Sequence, residues 1–271
     1  MRAWQVERIG EPRDVLTLTE VPDPEPGPGQ VLVRVLGAAA NFPDVLMCRG
    51  GYQVRPPLPY TPGIELCGEV VAAGPGVAGP GVAGVAGVAV GDRVIGGPAM
   101  PYGAFAELAL MNAEAVLPAP AGLDDAEAAA FFITYQTGWF GLHRRAQLAA
   151  GETLLVQAAA GGVGSGAVQL GKAAGARVIG VVGGERKAEV ARSLGADVVI
   201  DRLSQDFVSV VKDVTGGRGA DVVYDSVGGE AYTRSTKCVA FEGRIVVVGF
   251  ASGEIPSAAL NHALIKNYSI V

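Results

Sequence analysis

The chain has 271 residues, with 21 Lys and Arg against 27 Asp and Glu for a formal net charge of −6, and 49% of its residues are apolar. That supply of apolar side chains excludes an intrinsically disordered chain, and the acidic balance argues against a nucleic-acid or membrane-surface footprint. Three cysteines (Cys48, Cys67, Cys238) and two histidines (His143, His262) are too few for a disulfide framework or a four-cysteine zinc lobe.

The first ten residues, MRAWQVERIG, hold no apolar signal core, so a cytoplasmic protein is expected. Up to about residue 120 the chain reads as mainly β. Short Val- and Leu-rich runs at 15–18, 31–36, 65–71, 93–95, 105–110 and 115–117 are punctuated by Pro and Gly. The Pro/Gly knot at 22–29 is a loop, because proline lacks the donor a strand needs. The stretch 71–90 is uncharged and long enough to imitate a membrane span, but it holds six glycines and two prolines. Such a composition inserts weakly, so 74–90 is expected to be an enlarged surface loop carrying a repeated GVA unit. Lengthening a loop costs little, and the repeat needs no function.

From Asp124 the rhythm changes. Asp124, Asp125 and Glu127 open an Ala-rich helix, where the macrodipole favours carboxylates. Strands are then expected at 153–157, 177–182, 197–200, 221–224 and 244–248. Helices are expected between them, from about 162, over 186–194, over 206–214 and near 232–238. Nearly continuous apolar strands alternating with helices specify a parallel sheet covered on both faces. The fold class is therefore α/β: a β-rich domain over 1–120 and a doubly wound, Rossmann-type domain over 121–260.

The strand at 153–157 runs into Ala159-Ala160-Gly161-Gly162-Val163-Gly164 and then a helix with small residues on one side. On the dinucleotide-binding template Ala159 takes the first glycine position, with Gly161 and Gly164 at the second and third. A bare Gly161 lets backbone N–H groups approach a pyrophosphate. A bare Gly164 lets the helix pack close to the strand and aim its N-terminus at the anion. The tip of the next strand, Val181-Val182-Gly183-Gly184, lacks the acid that would accept from a ribose 2′-OH. Lys187 follows, and Arg202 comes after the third strand; both suit a 2′-phosphate, against which Glu185 counts. The expected cofactor is NADPH.

Several segments resemble the zinc-free quinone oxidoreductases, the zeta-crystallin-like branch of the medium-chain dehydrogenase/reductase superfamily. They are AAAGGVG, the run from Lys187 to the LGAD ending at Asp197, GGRGADVVYDSVGG (216–229), GRIVVVGFASG (243–253), AANFPDVLMCRGGY (39–52), PGIELCGEV (62–70) and VGDRV (90–94). The resemblance implies a GroES-like β domain beside the Rossmann domain, with the active site in the cleft between them. It also implies that Asn41 lies near the nicotinamide and substrate, that Tyr52 lines the cleft with a hydroxyl, and that Asp44 is close to both. Thr137 matches a position whose hydroxyl contacts the cofactor. Gly249, Phe250 and Ala251 match the segment that receives the carboxamide, and Val227 and Gly228 the floor on the adenosine side. Asp44 also reads as a helix cap or loop anchor, Tyr52 as a packing aromatic, and Thr137 as bonding back within its helix.

In zinc-dependent relatives a Cys stands at Asn41 and a His at Ile64, and an amide and a hydrocarbon do not replace them. No zinc is expected. The implied activity is NADPH-dependent hydride delivery to a quinone or an α,β-unsaturated carbonyl, with a homodimer through edge strands near 245–248. The alternatives are an enoyl-thioester reductase of the same superfamily and a non-catalytic NADPH-binding protein. Two departures stand out. The loop at 74–90 is longer than the family pattern. Residues 261–271 read as the start of a return segment that family members continue, so either a truncated product or an incomplete sequence is expected.

Overall fold

The computed structural model describes residues 1–77 and 88–271. The expected loop at 74–90 therefore lies largely outside the described residues. The chain divides into two compact units, Met1–Ile133 and Thr134–Val271.

In the first unit, β1 (Arg2–Val6) pairs antiparallel with β2 (Leu16–Glu20), and the short helix α1 (Pro12–Val15) joins them. A five-stranded antiparallel sheet follows, built from β3 (Gln30–Ala38), β4 (Leu66–Ala73), β5 (Arg93–Gly96), β6 (Leu108–Asn112) and β7 (Leu117–Pro118). Its order is β6-β3-β4-β5-β7. Helix α2 (Phe42–Cys48) interrupts the run from β3 to β4. Val31, Val33, Leu66, Val70, Val94, Ala109 and Met111 form the core on this sheet.

Three sequence expectations shift here. Residue 15 closes α1 rather than opening a strand, because Pro12 at its start fixes a helical φ. The run expected at 105–110 begins its strand only at Leu108, since the Phe105 and Glu107 backbones bond to Trp4 and Arg2. The run at 115–117 is split between a 3₁₀ turn (Ala113–Ala115) and β7. Asp124 does cap a helix, α3 (Asp125–Ala129), in a reciprocal box: its carboxylate accepts from Glu127 N–H at 2.8 Å.

Helix α4 (Phe132–Trp139) continues as a π-helix over Phe140–Arg145. The second unit then alternates strictly: β8 (Thr153–Val156), α5 (Gly162–Ala173), β9 (Arg177–Val182), α6 (Glu185–Ser193), β10 (Val198–Asp201), α7 (Phe207–Val214). It goes on through β11 (Ala220–Asp225), α8 (Gly229–Ser235), β12 (Val239–Val247), α9 (Leu260–Lys266) and β13 (Ser269–Ile270). All six strands are parallel in the order β10-β9-β8-β11-β12-β13, the doubly wound 3-2-1-4-5-6 arrangement. Leu154 and Val156 bury on one face with Ala167 and Val168 of α5, while Leu155 buries on the other with Phe207 and Val211 of α7. Burial on both faces is why these strands read as unbroken apolar runs.

The expectation of edge strands near 245–248 is corrected. β12 lies between β11 and β13, with Ile245 registered to Ile270 and Val247 N–H bonded to Val271, so the sheet ends at β10 and β13.

One half-buried ion pair ties β12 to the residue just before β8. Arg244 donates Nη1 and Nη2 to the two Glu152 oxygens at 2.8 Å each, and Nε to the Ala146 carbonyl at 2.9 Å. The guanidinium holds the Glu152 carboxyl below the usual range. Glu152→Gln is expected to lower stability by about 1–3 kcal/mol, read from the urea midpoint at neutral pH. Because the folded-state pKa is depressed, the stabilisation is present above the ordinary glutamate pKa and fades as pH falls through the folded one. The wild-type and variant midpoints should therefore converge in acid.

Candidate functional site

The turn after β8 is shaped by one close approach. A Cβ on Gly164 would lie 2.2 Å from the Ala158 carbonyl oxygen, so only glycine lets α5 start this near the strand. Ala158 itself adopts a left-handed φ of 51° to make the turn. Gly161 stands at the N-cap of α5 without any side chain capping the helix, which leaves the first-turn N–H groups of Gly162, Val163 and Gly164 for a ligand.

Strand order reverses between β8 and β11, and there the carboxyl ends of the strands open a cavity of about 490 Å³. Of the residues singled out in the sequence, Gly161, Gly183, Lys187, Arg202, Val227, Gly228 and Ala251 line it. Arg202 lies across the end of β9: a Cβ on Gly183 would meet its Nη2 at 3.2 Å and Nε at 3.3 Å. Glu185 does not line the cavity; it ion-pairs with Arg192 at 2.6 Å. Asp225, buried at the end of β11, accepts from Val227 N–H at 2.9 Å and Gly228 N–H at 3.0 Å, and so turns the chain into the cavity wall.

Sequence reasoning missed Arg234, Phe207, Glu230 and Gln157, which also line the cavity. Arg234 sits 4.7 Å over the Phe207 ring and ion-pairs with Asp206 and, at 3.8 Å, Glu230. Three cations thus face one carboxylate along the walls.

Thr137 lines a second cavity of about 550 Å³ with Gln136, Phe140, Arg145, Val246 and Val248. The π-helix supplies Phe140 and Arg145 there. Gly249 and Phe250 are not among the residues lining either cavity; the Phe250 ring edge instead lies 2.8 Å from where a Cβ on Gly228 would stand.

Asn41, Asp44 and Tyr52 belong to the first unit. Asn41 is half-buried just before α2, and its amide Nδ2 donates to Glu65 Oε1 at 2.8 Å. Asp44 is buried, and its two oxygens accept from Asn41 N–H at 2.8 Å and Gly63 N–H at 2.9 Å. Burial pushes its pKa up, and the two N–H donors oppose that. Both oxygens hold backbone, so this carboxylate anchors the loop that carries Asn41. Tyr52 packs its half-buried ring against the cluster of Val6, Val15, Met47, Cys48 and Tyr60. Glu65, also missed in the sequence, is 1% exposed.

Residues 27–121 match the model for the alcohol dehydrogenase GroES-like domain, and 162–271 the model for zinc-binding dehydrogenases. The chain is 40% identical over 246 residues to a quinone oxidoreductase-like protein 2 homolog of Nematostella vectensis, covering 90% of this chain and 65% of that protein. It is 36% identical over 269 residues to the mouse (Mus musculus) quinone oxidoreductase-like protein 2, covering 99% of this chain and 74% of that one. The chain belongs to the quinone oxidoreductase branch of the medium-chain dehydrogenase/reductase superfamily.

A solved member of the family, Escherichia coli quinone oxidoreductase complexed with NADPH, superposes with a TM-score of 0.89 at 32% identity, over all of this chain and 80% of that one. This chain thus spans about two thirds to four fifths of the length of these relatives.

The zinc named in one domain model does not fit the residues present. Ile64 offers only hydrocarbon, and the Asn41 amide nitrogen is committed to Glu65. Cys48, Cys67 and Cys238 are each buried, and among the described residues no group of three or more His, Cys, Asp or Glu could hold a metal ion.

Proposed function

We propose that this family member is a metal-independent, NADPH-dependent reductase that acts on a quinone or the β-carbon of an enone. The observation that carries the reading is the cavity at the switch point, which Gly161 at the uncapped start of α5 lines together with Gly183 and Arg202. The first-turn N–H groups of α5 suit a pyrophosphate, and Lys187 and Arg202 suit a 2′-phosphate where no acid awaits a ribose hydroxyl. The NADPH named in the Escherichia coli relative's structure supports the same assignment.

Bound NADPH supplies a hydride, and the chain's task is orientation and charge stabilisation. Val227 and Gly228 support the adenosine side, Gly249, Phe250 and Ala251 the carboxamide, and the Thr137 hydroxyl the ribose or phosphate near the nicotinamide. Asn41 and Tyr52 face the substrate, with the Tyr52 hydroxyl donating to the oxygen on which charge develops. Asp44 keeps Asn41 in place.

The test is NADPH oxidation with 1,4-benzoquinone, 9,10-phenanthrenequinone and crotonyl-CoA. Turnover with the quinones, faster with NADPH than NADH and indifferent to chelators, is the expected result. Turnover with crotonyl-CoA alone would make it an enoyl-thioester reductase. Tight NADPH binding without turnover on any acceptor would leave a binding protein. Stoichiometric zinc by elemental analysis would sink the metal-independent reading.

A further inference from the structure

Glu65 is a buried carboxylate that, among the described residues, has no ion-pair partner. Burying such a group is costly, and an apolar side chain of similar volume would be the stable choice. Two N–H donors offset that cost. Oε1 accepts from Asn41 Nδ2 at 2.8 Å, and Oε2 accepts from the backbone N–H of Ile133, in the first turn of α4, also at 2.8 Å.

The contact fixes which way round the Asn41 amide sits. Its Nδ2 carries two hydrogens; one goes to Glu65 and the other toward the Ala39 carbonyl at 3.3 Å. Both neighbours are acceptors. A flipped amide would set Oδ1 against two oxygens and lose both bonds. With both N–H groups taken, only the oxygen can accept from a ligand; it is turned toward the Asp44 N–H in the capping box of α2, which leaves it one further acceptor position.

We propose that Glu65 is a positioning residue of the hydride-transfer site: it locks the Asn41 side chain with its amide oxygen as the ligand-facing group. Asn41 then accepts a hydroxyl or N–H from the bound cofactor or substrate. It does not donate to the carbonyl that is being reduced, and that task falls to another group. The inference rests on the reading of Asn41 as a substrate-site residue.

Three variants test it: Glu65→Gln, Asn41→Asp and the double variant. In Glu65→Gln the new amide has one oxygen for two donors, so keeping the Ile133 bond turns its NH₂ toward Asn41 and forces the Asn41 amide round. Glu65→Gln is expected to lower kcat/KM with NADPH and a quinone about tenfold, while 2′,5′-ADP, which probes only the adenosine end, binds within about twofold of wild type. In the double variant the introduced glutamine donates its NH₂ to one oxygen of the introduced aspartate. The other aspartate oxygen stays an acceptor, so activity should rise severalfold above Glu65→Gln. A double variant no better than Glu65→Gln, or Glu65→Gln matching wild type, would overturn the proposal.

A readout without turnover uses ¹⁵N-asparagine labelling. The Asn41 side-chain NH₂ pair, identified by its loss in Asn41→Asp, should exchange slowly in the wild-type chain and shift in Glu65→Gln. Fast exchange in the wild type overturns the inference even if the Glu65 variant does not fold. A wild-type chain that fails to bind NADPH would sink the proposed function, and the amide signals would still decide whether Glu65 holds Asn41.

Discussion

Replacing Lys187 and Arg202 together by alanine is expected to weaken NADPH binding by about 10²-fold while NADH binding changes by less than about twofold. Both side chains line the same cavity, and the Arg202 guanidinium lies against Gly183, where an NAD-binding chain would place its acid. Both are exposed, so each charge-assisted contact is set at the low end of its range, about 1.4 kcal/mol. Arg202 should account for more of the loss than Lys187, because its fork can engage a phosphate with two N–H groups. Isothermal titration with the two coenzymes checks this. Equal losses for NADH and NADPH would remove the 2′-phosphate assignment.

The second large effect is structural. Gly164→Ala is expected to destabilise the protein by about 3 kcal/mol and to abolish coenzyme binding, because the new methyl would meet the Ala158 carbonyl at 2.2 Å and Ala159 Cα at 3.1 Å. Both are backbone atoms of the turn itself, so relief requires moving the start of α5. Gly161→Ala supplies the contrast. Its Cβ would meet only the Ala158 oxygen, at 3.2 Å, and its φ of −89° suits any residue. That variant should fold with a stability loss under about 1 kcal/mol and still bind NADPH about tenfold more weakly, its methyl occupying the approach to the helix N-terminus. Urea melts paired with coenzyme titrations separate the two. If Gly164→Ala melts like the wild type, the close approach at the turn is not what glycine is there for.

Legibility in the sequence followed burial. The strand expected at 177–182 is β9 to the residue, since a strand covered on both faces advertises itself as an apolar run bounded by charge and glycine. In the first unit the signal is weaker. Only Ala3 and Val6 of β1 are fully buried, which gives too little pattern to reveal a strand. The run at 105–110 could not show that part of its backbone is engaged by Arg2 and Trp4, about a hundred residues earlier.

The candidate site divides the same way. Gly161 to Gly164 could be read because turn and helix start are neighbours in the chain. Glu65 could not, since its meaning lies in Asn41, 24 residues away, and Ile133, 68 away. Arg234 was equally hidden: its partner Asp206 lies 28 residues back, at the N-cap of α7. Asp44 could be read as an anchor from its place in the first turn of α2, but one of the backbone groups it ties down, Gly63 N–H, lies 19 residues further along the chain.

The contact between Arg202 and Gly183 also constrains how this lineage can change. An acid introduced at 183 would meet the guanidinium before any ribose and be neutralised by it. On the proposed reading of Arg202 as the 2′-phosphate partner, a drift toward the non-phosphorylated coenzyme has one order, with the arginine lost first and the carboxylate gained second. The reverse path passes through an intermediate that serves neither coenzyme.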